Sequence, residues 1–149
     1  MKRIIAQNKK ARHDYNIDET YEAGIALTGS EIKSIRNRRV QLKESFALIR
    51  NGEVFLHNMH ISPIETGDKR TFEATRKRKL LLHKKEIRHL IGKTQEKGYT
   101  LIPLSLYFKK NLVKVELGLG KGKKIYDKRR KIAERTAQRE IERELKKRR

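Results

Sequence analysis

The last 29 residues, Lys121 to Arg149, cannot build a hydrophobic core. They read KGKKIYDKRRKIAERTAQREIERELKKRR, with 14 Lys and Arg against 5 Asp and Glu, a net charge of +9. Their apolar area is too small to offset the entropy lost on ordering, so the segment needs a polyanion to fold against. Its one apolar row, Ala133, Ala137, Ile141 and Leu145, repeats every fourth residue, as along one helical stripe. Beside it run Arg135, Arg139, Arg143 and Lys147, whose like charges oppose a free helix and are relieved by phosphate. The expectation is a tail that is mobile when free and helical against RNA; a solvated charge run is the rival. Whatever folds alone must therefore lie in residues 1–120, with 121–149 as an appended basic tail.

Charge is not confined to the tail. The chain has 149 residues, 39 Lys and Arg, 18 Asp and Glu and a formal net charge of +21, of which +12 belongs to the first 120 residues. A field of that size attracts nucleic acid or an anionic membrane. Membrane is the weaker choice, because no apolar run approaches the roughly 20 residues that span a bilayer. The start, MKRIIAQNKKARHD, has too short an apolar patch for a secretory signal. With no cysteine there are no disulfides and no thiolate metal sites, and the expected location is the cytoplasm.

Within the first 120 residues, strand patterns outnumber helices. Tyr15, Ile17, Tyr21, Ala23, Ile25 and Leu27 fall on odd positions and predict one long strand, bent near Asp18-Glu19. Ser30 is placed to cap a helix over SEIKSIRNRR, with Ile32 and Ile35 inward. Asn51-Gly52 between Phe46–Ile49 and Val54–Leu56 is a strong hairpin signal, its second arm running on through Met59 and Ile61 to Pro63. Glu65 to Thr75 reads as a mobile loop. After Leu80-Leu81-Leu82, Ile87, Leu90 and Ile91 predict a helix that stops at Gly98. Two further strands flank a turn near Lys110-Asn111. No strand-helix-strand alternation suggests a parallel sheet, so the expected fold is mainly β: a closed, antiparallel, six-stranded barrel of the OB-like kind, with flanking short helices.

Chemistry-bearing motifs are sparse. His57 and His60 are three apart, which in one strand puts them on opposite faces and argues against a shared metal. No GxSxG or HExxH occurs. GLGKGKK at Gly118 to Lys124 fails the P-loop pattern, because Leu117 stands where its first glycine should be and Lys124 where Ser or Thr should follow the lysine. It reads instead as a flexible Gly-Lys joint along an RNA backbone. Basic clusters are more telling: Asn8, Lys9 and Arg12 directly before His13 and Tyr15; Lys33, Arg36, Arg38 and Arg39 on or just after the first predicted helix; Arg76, Arg78 and Lys79 after the loop. Arg, His and Tyr can stack on unpaired bases while lysines hold phosphates. Glu22 is an acid on a strand of a basic protein, positioned either to pair with a local cation or to accept from base amino groups.

The segments NKKARHDYNIDETYEAGIALTGSEIKSIR, RNGEVFLHNMHISP, ATRKRKLLLHKKEI, GYTLIPLSLYFK and GKGKKIYDKRR, in that order, resemble the bacterial tmRNA-binding protein family, also called SsrA-binding protein or small protein B. The resemblance covers nearly the whole chain. It implies an OB-like barrel without catalysis and without a cofactor. It implies binding to the tRNA-like domain of tmRNA and delivery of tmRNA to stalled ribosomes for trans-translation. The body would sit at the tRNA elbow, and the tail would reach the decoding region and become helical in the vacant mRNA channel. The small-subunit decoding region is thus an implied partner, with elongation factor Tu and alanyl-tRNA synthetase met through tmRNA. The family's tmRNA contacts fall on Glu22, Leu81, His83 (commonly Asn) and Lys114. Its ribosome-acting stretch falls on Lys121, Gly122, Lys123, Lys124, Tyr126 (often His), Asp127, Lys128 and Arg129. A structural ribosomal RNA-binding protein is the competing reading from composition, and an RNA-processing enzyme using His13 and Asp14 a more distant one.

Overall fold

The computed structural model describes residues 2–64, 72–96, 98–123 and Arg139. The expected loop over 65–75 lies mostly outside these residues, as does nearly all of the tail.

Most of the described chain is strand. In order it forms β1 (Lys2–Gln7), α1 (Lys9–Asp14), β2 (Tyr15–Ile25), α2 (Gly29–Arg36), β3 (Val40–Gln41), β4 (Phe46–Arg50), β5 (Glu53–His57), β6 (His60–Ile61), β7 (Arg78–Leu81), α3 (Lys84–Gln95), β8 (Tyr99–Lys109) and β9 (Leu112–Gly122). Seven strands form one sheet, ordered β1-β8-β4-β5-β7-β2-β9, with β8 also paired to β9. All pairings are antiparallel. β8 and β9 pair along their whole length, whereas β4 and β8 share one ladder position, Ala47 with Leu101. β3 and β6 form a separate two-stranded ribbon.

Local chemistry accounts for the turns. Asn51 and Gly52 both have positive φ, 53° and 74°, the left-handed pair that a tight β4–β5 hairpin needs. Lys110 and Asn111, at φ 50° and 66°, close β8 onto β9 in the same way. The expected bend near Asp18-Glu19 is a register shift between Ile17 and Glu19, where β2 slips against β9.

Three expectations are corrected. The helix cap is Thr28, not Ser30: its hydroxyl accepts from the Glu31 N–H while the Glu31 carboxylate accepts from the Thr28 N–H. The hairpin arm does not continue to Pro63, because Asn58 turns at φ 66° and sends His60-Ile61 to pair with β3. The stretch from Gly118 is not a loose joint, since β9 runs through Gly122, which pairs with Tyr15. A Cβ on Gly120 would sit 2.4 Å from the Asn16 carbonyl oxygen, and one on Gly118 2.9 Å from Leu104 Cδ1. Beyond these, the charged start folds into edge strand β1, the seventh strand of the sheet, and the six-residue helix α1.

The core lies inside the sheet. Ala23, Val54, Leu56, Leu80, Leu101, Leu106, Val115, Leu117 and Leu119 point inward and are buried, joined by Ile35 from α2 and Leu90 from α3. Each fully buried Leu or Ile of this kind contributes about 1.5–3 kcal/mol. A smaller cluster, Ala11, Ile102 and Leu104, seats α1 on the outer side of β8.

Candidate nucleic-acid interface

Residues that face each other across a sheet ladder point to the same side, so register decides which side chains can share a surface. Leu81 on β7 pairs with Gly24 on β2, Gly24 with Lys114 on β9, Lys114 with Tyr107 on β8, and Tyr107 with Ile4 on β1. The result is one row across five strands on the outward face. Leu81 is 53% exposed and Ile4 45%, while Gly24 leaves a notch between Leu81 and Lys114. A Cβ at Gly24 would stand 3.3 Å from Leu81 Cβ, so the missing side chain lets Leu81 lie low across β2.

Glu22 sits two residues before Gly24 and shares its face. Its carboxylate accepts from the Tyr107 hydroxyl at 2.6 Å and from Lys109 Nζ at 3.2 Å. The Tyr107 hydrogen bond, with the Lys109 bond and the charges of Lys109 and Lys114, holds this carboxyl below its ordinary range despite some desolvation. Burial, and then Glu22 itself, push the Tyr107 phenol up, so at neutral pH it donates to an ionised acid. Lys2 Nζ lies 4.8 Å from the centroid of the Tyr107 ring. The sequence marked Glu22 but not Tyr107, Lys109 or Lys2. Only the register of β1, β8 and β2 brings them to it, and no local pattern announces that.

On one side of this cluster lies α1. Arg12 donates to Glu116 Oε1 at 3.1 Å, and the other Glu116 oxygen accepts from Ser105 Oγ at 3.0 Å. Lys9, Arg12, Ile4, Gln7, Ser105 and Glu116 line a shallow cavity of about 380 Å³ there.

Residues 5–147 match the family model described as SmpB protein. The chain belongs to the SmpB family. It is 64% identical over 146 residues to the SsrA-binding protein of Halothermothrix orenii, covering 98% of this chain and 94% of the relative. It is 62% identical over 141 residues to the SsrA-binding protein of Bacillus subtilis, covering 95% and 90%. It is also similar to a solved structure described as "tmRNA-SmpB: a journey to the center of the bacterial ribosome", with a TM-score of 0.65, 52% identity, and 78% of this chain and 82% of that chain covered.

In this SmpB-family chain, the positions expected to contact RNA divide into three groups. Leu81 and Lys114 lie on the row, Glu22 shares its face beside it, and Lys9 and Arg12 stand on its α1 side. His13 is exposed on α1 with its Nδ1 3.0 Å from Asp14, and Tyr15 is half-buried against Ala11 and Ile102. Lys33 and Arg36 are exposed on α2, Lys79 is exposed and 3.3 Å from Glu53, and His83 is the exposed cap residue of α3.

The third group is corrected, because the structure uses those side chains internally. Arg78 is fully buried: its guanidinium holds Glu31, the Met59 carbonyl at 2.7 Å and the Ala74 carbonyl at 3.1 Å. No surface ligand can reach it. Asn8 is also buried; its Oδ1 caps α1 through the Ala11 N–H, and its Nδ2 donates to the carbonyls of Leu42 and Pro103. Arg76 is partly exposed but binds Glu31 at 2.6 Å. Burial raises the Glu31 carboxyl, yet Arg76, the Thr28 N–H and Arg78 outweigh it, and the net shift is downward. In sequence, RKRK reads as an RNA-facing basic cluster, and only Glu31, 47 residues from Arg78, reveals that one member belongs to the core.

Lys121 and Gly122, expected in the tail, are the last residues of β9, and Lys121 Nζ lies 4.5 Å from the Tyr99 ring centroid. Lys124, Tyr126, Asp127, Lys128 and Arg129 lie outside the described residues. Among the described residues no group of three or more His, Asp or Glu could hold a metal ion, and no helix is long and apolar enough to cross a membrane.

Proposed function

We propose that this chain binds the tRNA-like domain of tmRNA and delivers it to stalled ribosomes for trans-translation, the rescue that tags incomplete proteins. The observation that carries the reading is the Leu81–Gly24–Lys114–Tyr107 row with Glu22 held beside it, in a chain of net charge +21. The SsrA-binding proteins to which it is so similar supply the class of RNA.

The chemistry is recognition. An ionised, positioned Glu22 accepts hydrogen bonds from exposed base amino groups. Leu81 offers apolar surface for a base or sugar, and Lys114, Lys109 and Lys2 meet phosphates. Nothing in this scheme forms or breaks a covalent bond, so we read the protein as a binding protein, not an enzyme, needing no cofactor. Following partners from β4 through β5, β7, β2, β9 and β8 leads back to β4, which supports a closed OB-like barrel with β1 as an added edge strand. The division of labour is a body over about residues 1–120, with β9 reaching Gly122, and a basic tail beyond it.

The tail is assigned to the small-subunit decoding region and mRNA channel, ordering only where mRNA is absent. Ordering 20-odd residues costs on the order of 20 kcal/mol or more of backbone entropy, so a channel lined with phosphate must supply the opposing term. Elongation factor Tu and alanyl-tRNA synthetase are met through tmRNA, and the work is done in the cytoplasm.

A mobility-shift titration with tmRNA, paired with a tagging assay on stalled ribosomes, tests this reading. Glu22→Ala should weaken tmRNA binding by about tenfold to a hundredfold, the scale of a lost hydrogen-bonded base contact. Deleting Tyr126 onward should leave that affinity nearly intact and abolish tagging. Equal loss of tmRNA binding from both changes would refute the division of labour.

A further inference from the structure

The row that ends at Leu81 has a continuation on the β4–β5 hairpin. Lys79, two residues before Leu81 and on the same face, pairs with Phe55, and Phe55 pairs with Leu48. One step along the hairpin, Phe46 pairs with His57, and their rings stack 5° from parallel at 5.3 Å between centroids. These are outward positions, because their neighbours Ala47, Val54 and Leu56 point into the core. A solvated sheet face normally alternates polar side chains with buried apolar ones. Here Leu48 is 50% exposed, and Phe46, Phe55 and His57 are half-buried.

Cations frame the apolar surface. Lys77 Nζ stands 4.5 Å from the Phe55 ring centroid, and Arg50 and Lys79 are exposed at its edge. The acid among them, Glu53, is taken by Lys79 at 3.3 Å. Burial, Lys77 and Arg50 together push the His57 imidazole down, so its ring stacks on Phe46 as the neutral form at neutral pH.

We propose that the outward face of the β4–β5 hairpin is a second RNA contact surface, one that takes unpaired nucleotides by stacking them on Phe55, Leu48 and the Phe46–His57 pair. It rests on RNA being the ligand of the neighbouring row, and it extends that surface beyond Leu81. Unpaired bases offer open π-faces together with a phosphate at each step. Flat rings interleaved with Lys and Arg match both features at once. A neutral protein partner would match the rings and leave Lys77 and Arg50 unanswered. A base entering over Phe55 displaces Lys77 from the ring toward the adjoining phosphate, so the same cation serves the free and the bound state.

The test uses the full chain and a single-stranded RNA of about ten nucleotides carrying 4-thiouridine, with photo-cross-links mapped by mass spectrometry. Adducts on Phe46, Phe55 or His57 are expected. Leu48→Ser with Lys77→Gln should cut their yield about tenfold while leaving affinity for the tRNA-like domain within about twofold. Glu22→Ala should do the reverse. If the double variant loses its native circular dichroism, Lys77→Gln alone, at an exposed position, carries the comparison. Adducts confined to the tail or to the Glu22 side overturn the proposal. So does a wild-type dimer in sedimentation that Leu48→Ser dissociates, which would give this face to a second copy of the chain. Failure of wild type to bind the tRNA-like domain sinks the functional reading instead, whereas domain binding without hairpin adducts sinks only this inference.

Discussion

At the scale of single residues, two acids with the same direction of pKa shift do different work. Glu31 is buried between Arg76 and Arg78, and removing one member leaves an uncompensated charge in the interior. Glu31→Ala should therefore cost about 3–5 kcal/mol, read from urea denaturation. Because the folded Glu31 carboxyl lies below its ordinary value of 4.5, its contribution is complete above that pH and is lost as pH falls through the lowered folded value. Below about pH 4.5 the urea midpoint should drop as Glu31 takes up a proton, and Glu31→Gln should flatten that limb while starting from a less stable protein. Glu22 is partly solvated, so Tyr107→Phe should cost only about 1 kcal/mol after allowance for screening. It should also move the Glu22 carboxyl up toward 4.5 in an NMR titration, since the largest influence holding it down is gone. Glu22 was visible in sequence as an acid out of place on a basic strand. Its partner Tyr107, 85 residues away, was not, because no local periodicity encodes which strands become neighbours. The same blindness made Arg78 look like a surface cation.

At the scale of elements, the turns were the most legible part of the chain and the charged start the least. Asn51-Gly52 carries its own conformational preference, so the β4–β5 hairpin follows from two residues. Lys110-Asn111 and the Ile87, Leu90, Ile91 face of α3 are local signals of the same kind. By contrast, β1 and α1 are short, rich in Lys and Arg, and ordered by distant contacts: β1 by pairing with β8, α1 by Asn8 reaching Leu42 and Pro103. The glycines near the end of β9 look like flexibility in sequence and prove to be close packing. Gly120→Ala should thus destabilise by about 2–3 kcal/mol or more, because its new methyl would meet backbone at Asn16 rather than a yielding side chain. A fall of several degrees in Tm would register it, whereas an unchanged Tm would mean that β2 and β9 can part locally.

At the scale of the whole molecule, the net charge of +21 sets how affinity responds to ionic strength. Binding to tmRNA should weaken steeply with salt, and Lys114→Gln should reduce the slope of log affinity against log salt by about one, the loss of a single phosphate contact. An unaltered slope would place Lys114 off the backbone. Composition pointed to nucleic acid ahead of membrane, and the mainly β architecture was readable from alternation, but which side chains share a face depended on strand order. That order also has a mechanical side. β8 and β9 are laced together from Tyr99 to Lys109, while β4 and β8 share a single ladder position, Ala47 with Leu101, among the described residues. A clasp fastened at one point is where a sheet breathes first, so amide exchange should report the earliest opening beside Ala47 and the latest within β8–β9. Such breathing would let the hairpin swing as a flap on its β7 side, leaving the protein one compliant edge.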